Sequence, residues 1–107
     1  MPEVPIILSK HAIERAKQRL GLAEPQLART MAKIHRRGAT REHMGKELRQ
    51  YFDRRLTEPD SRRESVIHDG HLFIVDRGVL VTVVEIPAGL KRFAVAAAKA
   101  NRAAQNV

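Results

Sequence analysis

Ser65-Val66-Ile67-His68-Asp69-Gly70-His71-Leu72-Phe73-Ile74-Val75-Asp76-Arg77-Gly78-Val79-Leu80-Val81-Thr82-Val83-Val84-Glu85-Ile86-Pro87 reads as three antiparallel strands joined by two tight turns. Asp69-Gly70 is the pair that supplies the two positive φ angles of a type I′ turn, and Arg77-Gly78 sits where a second such turn falls. Two-residue loops at both places set His68 opposite His71, Phe73 opposite Thr82 and Leu72 opposite Val83. Period-two alternation then sorts every side chain onto a face. One face carries Ile67, Leu72, Ile74, Val79, Val81 and Val83, with Asp76 and Glu85 near its ends, and suits burial under helices. The other carries Val66, His68, His71, Phe73, Val75, Leu80, Thr82 and Val84. An apolar platform holding two histidines and a threonine fits a substrate surface, and it fits equally a contact with a dimer mate or with the C-terminal helix.

Working outward, Ser9 is placed to cap a helix from Lys10 in which Ile13, Ala16 and Leu20 recur at helical spacing until Gly21 stops it. On another side of that helix His11, Arg15 and Arg19 follow at i, i+4 and i+8 and line one stripe. A second helix opens at Glu24-Pro25, buries Leu27, Met31 and Ile34, and ends near Gly38. Its last turn, His35-Arg36-Arg37, complements the helix dipole. Thr40 is read as the cap of a third helix with Met44, Leu48, Tyr51 or Phe52, and Leu56 inside. The polar run Glu58 to Arg63 is the longest loop. Beyond Pro87 and Gly89, residues 90–104 favour a helix, with a short fourth strand at 92–95 as the alternative and fraying at the end. The expected architecture is one α+β domain over residues 1–107. It comprises a helical half (9–57) packed on one face of a small antiparallel sheet, the meander (65–87), and a basic, alanine-rich helical tail (88–107).

The chain has 107 residues, enough for a single core and a single function. Lys plus Arg total 20 against 12 Asp plus Glu, a formal net charge of +8. That is the footprint of a polyanion binder, with nucleic acid the leading partner. There is no cysteine, which excludes disulfides, thiolate metal sites and cysteine nucleophiles. The apolar run Val4 to Leu8 is too short for a signal sequence or a membrane span, so a cytoplasmic location and no membrane partner are expected. Aromatic residues make up 4%, too few for a base-stacking platform, and Arg and Lys contacts to a phosphate backbone are expected instead.

Histidine with arginine is the minimum kit for cutting RNA without a metal or cofactor. The reaction needs a base for the 2′-hydroxyl, an acid for the leaving oxygen, and fixed positive charge over the phosphorane. His11 lies in a first turn beside two arginines, and both influences favour the neutral imidazole that a base requires. Thr82 offers a hydroxyl to a phosphate oxygen, although β-propensity alone explains it. His68 and His71 form a cross-strand pair. Two ligands do not make a metal site, so one of them is better read as the acid. No P-loop, GxGxxG or GxSxG is present.

Ser9-Lys10-His11-Ala12-Ile13-Glu14-Arg15-Ala16-Lys17-Gln18-Arg19, with Val79-Leu80-Val81-Thr82-Val83 at a distance, resembles small prokaryotic and phage-borne proteins that carry an N-terminal HAxxR…R helix and a terminal strand with a Thr-Val pair. Those proteins look like members of the barnase/EndoU/colicin/RelE superfamily of metal-independent ribonucleases, many of them toxins. The resemblance covers the first helix and the hairpins. It implies helices on one face of an antiparallel sheet and an RNA site on the other. It places the motif histidine at His11, the helix arginines at Arg15 and Arg19, and the strand threonine at Thr82. Two functions follow as expectations. One is a small RNA-binding protein with toxin-like endoribonuclease activity, covered by an acidic antitoxin or immunity protein. The other is a non-catalytic phage or host factor that binds nucleic acid or protein and forms a homodimer through its sheet.

Overall fold

Asp69 and Gly70 take φ of 50° and 71°, and Arg77 and Gly78 take 52° and 82°, in a computed structural model that describes residues 6–55 and 63–105, without the side chains of Arg36 and Arg55. Both expected two-residue turns are therefore formed. They join β3 (Arg63–His68), β4 (His71–Asp76) and β5 (Val79–Glu85) into the antiparallel meander.

The sheet does not stop at three strands. β1 (Ile7–Leu8) pairs parallel with Val79 and Leu80, and β2 (Ala39–Thr40) pairs antiparallel with Ile67 and Val66. The order is β1-β5-β4-β3-β2, a five-stranded mixed sheet in place of the expected three-stranded antiparallel one. Each added strand is two residues long, below what alternation can signal.

Register departs from expectation in β5. His68 does face His71, but Leu72 pairs with Val84, Phe73 with Val83 and Ile74 with Thr82, while Val75 pairs with Leu80. Val81 is the extra residue of a β-bulge, and it moves every later residue of β5 to the opposite face. Val83 joins Val66, Phe73, Val75 and Leu80 in one core. Val84 lies against the core that holds Ile67, Leu72 and Ile74. Thr82 and Glu85 therefore exchange faces relative to the sequence reading.

α1 (Lys10–Leu20) and α2 (Glu24–Arg37) form as expected. The Ser9 Oγ accepts from the Ala12 N–H at 3.1 Å, and Gly21 closes α1 at φ 67°. α2 has Pro25 in its first turn, buries Leu27, Met31 and Ile34, and ends at Gly38. Thr40, however, belongs to β2 and caps a short 3₁₀ turn, Arg41–His43. Its N–H donates to His43 Nδ1 at 3.1 Å. α3 (Lys46–Arg55) follows, with Met44, Leu48 and Phe52 buried and Tyr51 half-buried. Leu56, most of the polar loop before Arg63, and the chain end at 106–107 lie outside the described residues.

Residues 91–105 form a helix, α4 (Lys91–Gln105), so the strand alternative at 92–95 is not adopted. α4 is a packed element with Ala94, Ala97 and Asn101 buried. The layers follow from the two cores. α1 and α2 cover the sheet face of Phe73 and His71, while α3 and α4 cover the face of Ile67, Leu72 and Ile74. The expectation that the helical half packs together on the Ile67 face is thereby corrected: the third helix lies opposite the first two, and the histidine face, read as a surface for substrate, a dimer mate or the C-terminal helix, is covered by α1 and α2. Both faces of the meander are apolar, and each needs a cover.

Candidate nucleic-acid interface

The path into α1 sets the position of its stripe. The Ser9 N–H donates to the Leu80 carbonyl at 3.1 Å and its Oγ donates to the Val81 carbonyl at 3.2 Å, so the helix starts where β1 leaves the edge of β5. Ala12 and Ala16 have no Cβ branches and are fully buried, which lets the helix lie close over β5. At 100° per residue, His11, Arg15 and Arg19 then flank the buried side.

The three stripe residues have different surroundings. Arg19 reaches the sheet edge, where Nη1 donates to the Val83 carbonyl at 2.7 Å. It thus covers an edge carbonyl that β1 is too short to reach. Arg15 donates through Nε to His11 Nε2 at 3.4 Å and through Nη1 to Gln18 Oε1 at 3.5 Å. His11 is exposed, with its Nε2 lone pair toward a guanidinium.

His68 and His71 stand elsewhere. His71 is paired with Glu85, four residues along β5 from the carbonyl that holds Ser9, or about 13 Å at the rise of a strand. A carbonyl only accepts, so the 2.7 Å contact of His71 Nδ1 with the Asp69 carbonyl puts the proton on Nδ1. His71 is 9% exposed and its Nε2 is buried without a partner, leaving neither ring nitrogen open to a substrate. His68 packs edge-to-face on Phe73 at 5.9 Å between centroids. Thr82 pairs with Ile74 on the α3–α4 face, across the sheet from α1. The fold thus brings His11 and Arg15 together and holds Arg19 in line with them. It places His68 and His71 together at another position and sets Thr82 apart from both. No group of three His, Asp or Glu side chains among the described residues is placed to hold a metal ion.

The wider surface of α1 and α2 is more informative than any pair of residues on it. Along Lys10–Arg37 the sequence has Lys10, Arg15, Lys17, Arg19, Arg29, Lys33, Arg36 and Arg37 against Glu14 and Glu24 only. Lys10, Lys17, Arg29, Lys33 and Arg37 are exposed, and none has a carboxylate within salt-bridge distance among the described residues. Elsewhere some cations are compensated and others, Arg92, Lys99 and Arg102 of α4 among them, have no carboxylate within salt-bridge distance among the described residues. Arg41 and Asp53 form a two-pronged pair at 2.9 and 2.6 Å, and Lys91 meets Glu85 at 3.2 Å. The hydrogen bonds to Arg41 hold the Asp53 carboxyl below the ordinary carboxylate range, and the same bonds raise the Arg41 guanidinium.

Sequence reasoning isolated the α1 stripe but missed the layer. Arg29 and Lys33 join it only because α2 packs beside α1 on one sheet face, which is a tertiary fact. No helix of the described residues is long and apolar enough to cross a membrane. Compared with protein-family models, with characterised proteins and with solved structures, the chain matches none.

Proposed function

We propose that this chain is a small RNA-binding protein whose α1–α2 layer tracks a phosphate backbone. The observation that carries the reading is the run of lysine and arginine along α1 and α2, eight between Lys10 and Arg37 against Glu14 and Glu24 alone, with five of them exposed and without a carboxylate partner among the described residues. Exposed cations left without carboxylates attract a polyanion and release its counterions on binding. The layer has no Phe, Tyr or Trp, so it grips the backbone and discriminates little among bases. RNA as the polyanion rests on the resemblance of the His11-to-Arg19 helix to metal-independent ribonucleases.

Cleavage is the second reading, favoured by the Arg15–His11 hydrogen bond, which joins a candidate base to a phosphate-binding group. It requires an acid from the same surface, because His68 and His71 stand too far along the sheet and His71 is enclosed. Binding is therefore placed ahead of catalysis.

The test is fluorescence anisotropy with a mixed-sequence single-stranded RNA over about 50 to 200 mM salt, with cleavage followed in EDTA. Each phosphate contact contributes about −0.7 to the slope of log affinity against log salt. Lys10→Glu with Lys33→Glu should flatten that slope and weaken binding, whereas Arg54→Glu on α3 should not. Salt-independent binding, or equal losses in all variants, would refute the proposal. Metal-independent cutting lost in His11→Ala would establish the catalytic reading.

A further inference from the structure

The last carbonyls of a helix have no partner within it, and at the end of α2 the partner comes from α4. The Arg37 carbonyl accepts from Asn101 Nδ2 at 2.6 Å and from Gln105 Nε2 at 2.8 Å. Asn101 is 8% exposed, so this cap is a built contact that ties the C-terminal half of α4 to the end of α2, where the chain enters β2 at the sheet edge. The side chains it draws together are cationic. Arg37 is exposed on α2. Arg102 follows Asn101 directly and precedes Gln105 by one turn, so at 100° per residue it stands on the solvent flank of the cap, with Lys99 one turn before it. Arg37, Lys99 and Arg102 are all exposed, and none has a carboxylate within salt-bridge distance among the described residues. The nearer carboxylates lie to either side: Asp69 borders the first half of α4, where Lys91 is paired with Glu85, and Glu64 stands 4.0 Å from His35. Along its 15 residues α4 has no carboxylate of its own. The helix dipole favours a cation in the last turn only, which accounts for Arg102 and not for Lys99.

Resting on the α1–α2 reading above, we infer that the phosphate track continues past Arg37 on to Lys99 and Arg102 of α4, and that its ligand is a flexible single strand of RNA. The cap sets the path. α1 and α2 cover one sheet face and α4 the other, so a backbone that follows the cations from Lys33 through Arg37 to Arg102 must bend around the β2 edge. The whole body measures only 31 × 31 × 30 Å. A duplex is stiff over lengths on the order of 150 base pairs, far more than this body, and lies against one face at a time. A single strand bends at each nucleotide and can touch both. Single-strand sites combine a cationic track with little base readout, which suits a surface of lysine and arginine without aromatic side chains on α1 and α2.

The probes are a mixed-sequence single-stranded RNA of about 20 nucleotides, longer than the about 4–16 that a compact single-strand site covers, a duplex of the same length, and a polyglutamate peptide. Binding to the full chain is followed by anisotropy over a salt series and by amide chemical shifts. Lys99→Gln with Arg102→Gln, both exposed positions, should make the single-strand salt slope shallower by about 1.4, the loss of two phosphate contacts, and leave the duplex slope unchanged. One strand should bind per chain, with the amides of Lys33, Arg37, Lys99 and Arg102 shifting together to one saturation point. An unchanged single-strand slope in that variant, while Lys10→Glu with Lys33→Glu still flattens it, overturns the extension to α4 and leaves the α1–α2 reading standing. If the Lys10 and Lys33 changes are silent as well, both readings fall. The inference is also overturned if the duplex loses as much as the single strand, if two strands bind per chain, or if polyglutamate and not RNA shifts Lys99 and Arg102.

Discussion

Replacing Gly38 with alanine tests how closely α2 is seated on the sheet. Gly38 has φ −75° and ψ 157°, a conformation alanine adopts freely, so any penalty comes from contact and not from the backbone angles. A Cβ there would stand 2.3 Å from Val66 Cγ1 and 2.7 Å from the Ile34 carbonyl oxygen. The Ile34 carbonyl accepts the Gly38 N–H at 2.7 Å and ends α2, and Val66 is 1% exposed between Thr40 and Phe73. Neither neighbour yields without moving the helix end or β3. Overpacking of this kind costs about 1–3 kcal/mol, offset by about 0.4–1 kcal/mol from the lower entropy of the unfolded chain. A net loss of about 1–2 kcal/mol should follow. With a urea slope of about 1.5 kcal/mol/M, the unfolding midpoint should fall by about 1 M. Val66→Ala removes one of the two clashes, so Gly38→Ala should cost about 1 kcal/mol less in that background, a coupling readable in a double-mutant cycle. A neutral or stabilising Gly38→Ala, or strictly additive costs, would refute the close seating of α2 on β3.

Arg19→Met should keep the aliphatic stem and lose the hydrogen bond to the Val83 carbonyl, costing about 1 kcal/mol and speeding amide exchange along the end of β5. Unchanged stability and exchange would mean that the edge does not depend on Arg19. Asp53 has a lowered carboxyl pKa, so its contribution is present above the unfolded-state value of about 3.9 and is lost as pH falls through the folded value. Asp53→Asn should therefore lower Tm near neutrality, with the difference closing toward about pH 2. Both partners are substantially exposed, so the effect should be small and reduced by salt, and a deficit that persisted in acid would exclude the linkage.

What the amino-acid sequence determined by itself is local. Positive φ at Asp69-Gly70 and Arg77-Gly78, the Ser9 cap and the Gly21 stop depend on residues within a few positions of one another, and the chemistry of each turn selects its own conformation. The buried stripes of α2 and α3 are legible for the same reason, since helical period is written in consecutive residues, while in α1 the fully buried pair is Ala12 and Ala16 and the expected Ile13 and Leu20 are half-buried beside it. The tertiary structure decided the rest. Val79-Leu80-Val81-Thr82-Val83-Val84 is apolar toward both faces, so its alternation cannot locate a bulge. Val81 becomes the extra residue where β1 departs and Ser9 takes its carbonyl. That single displacement carried Thr82 to the other side of the sheet from His11. The pairing of β1 and β2, the assignment of helices to faces, and the basic layer shared by α1 and α2 likewise depend on contacts between residues far apart in the chain. No local propensity encodes those contacts; they form because each apolar face of the sheet must be covered and only the folded chain brings the covering helices to it.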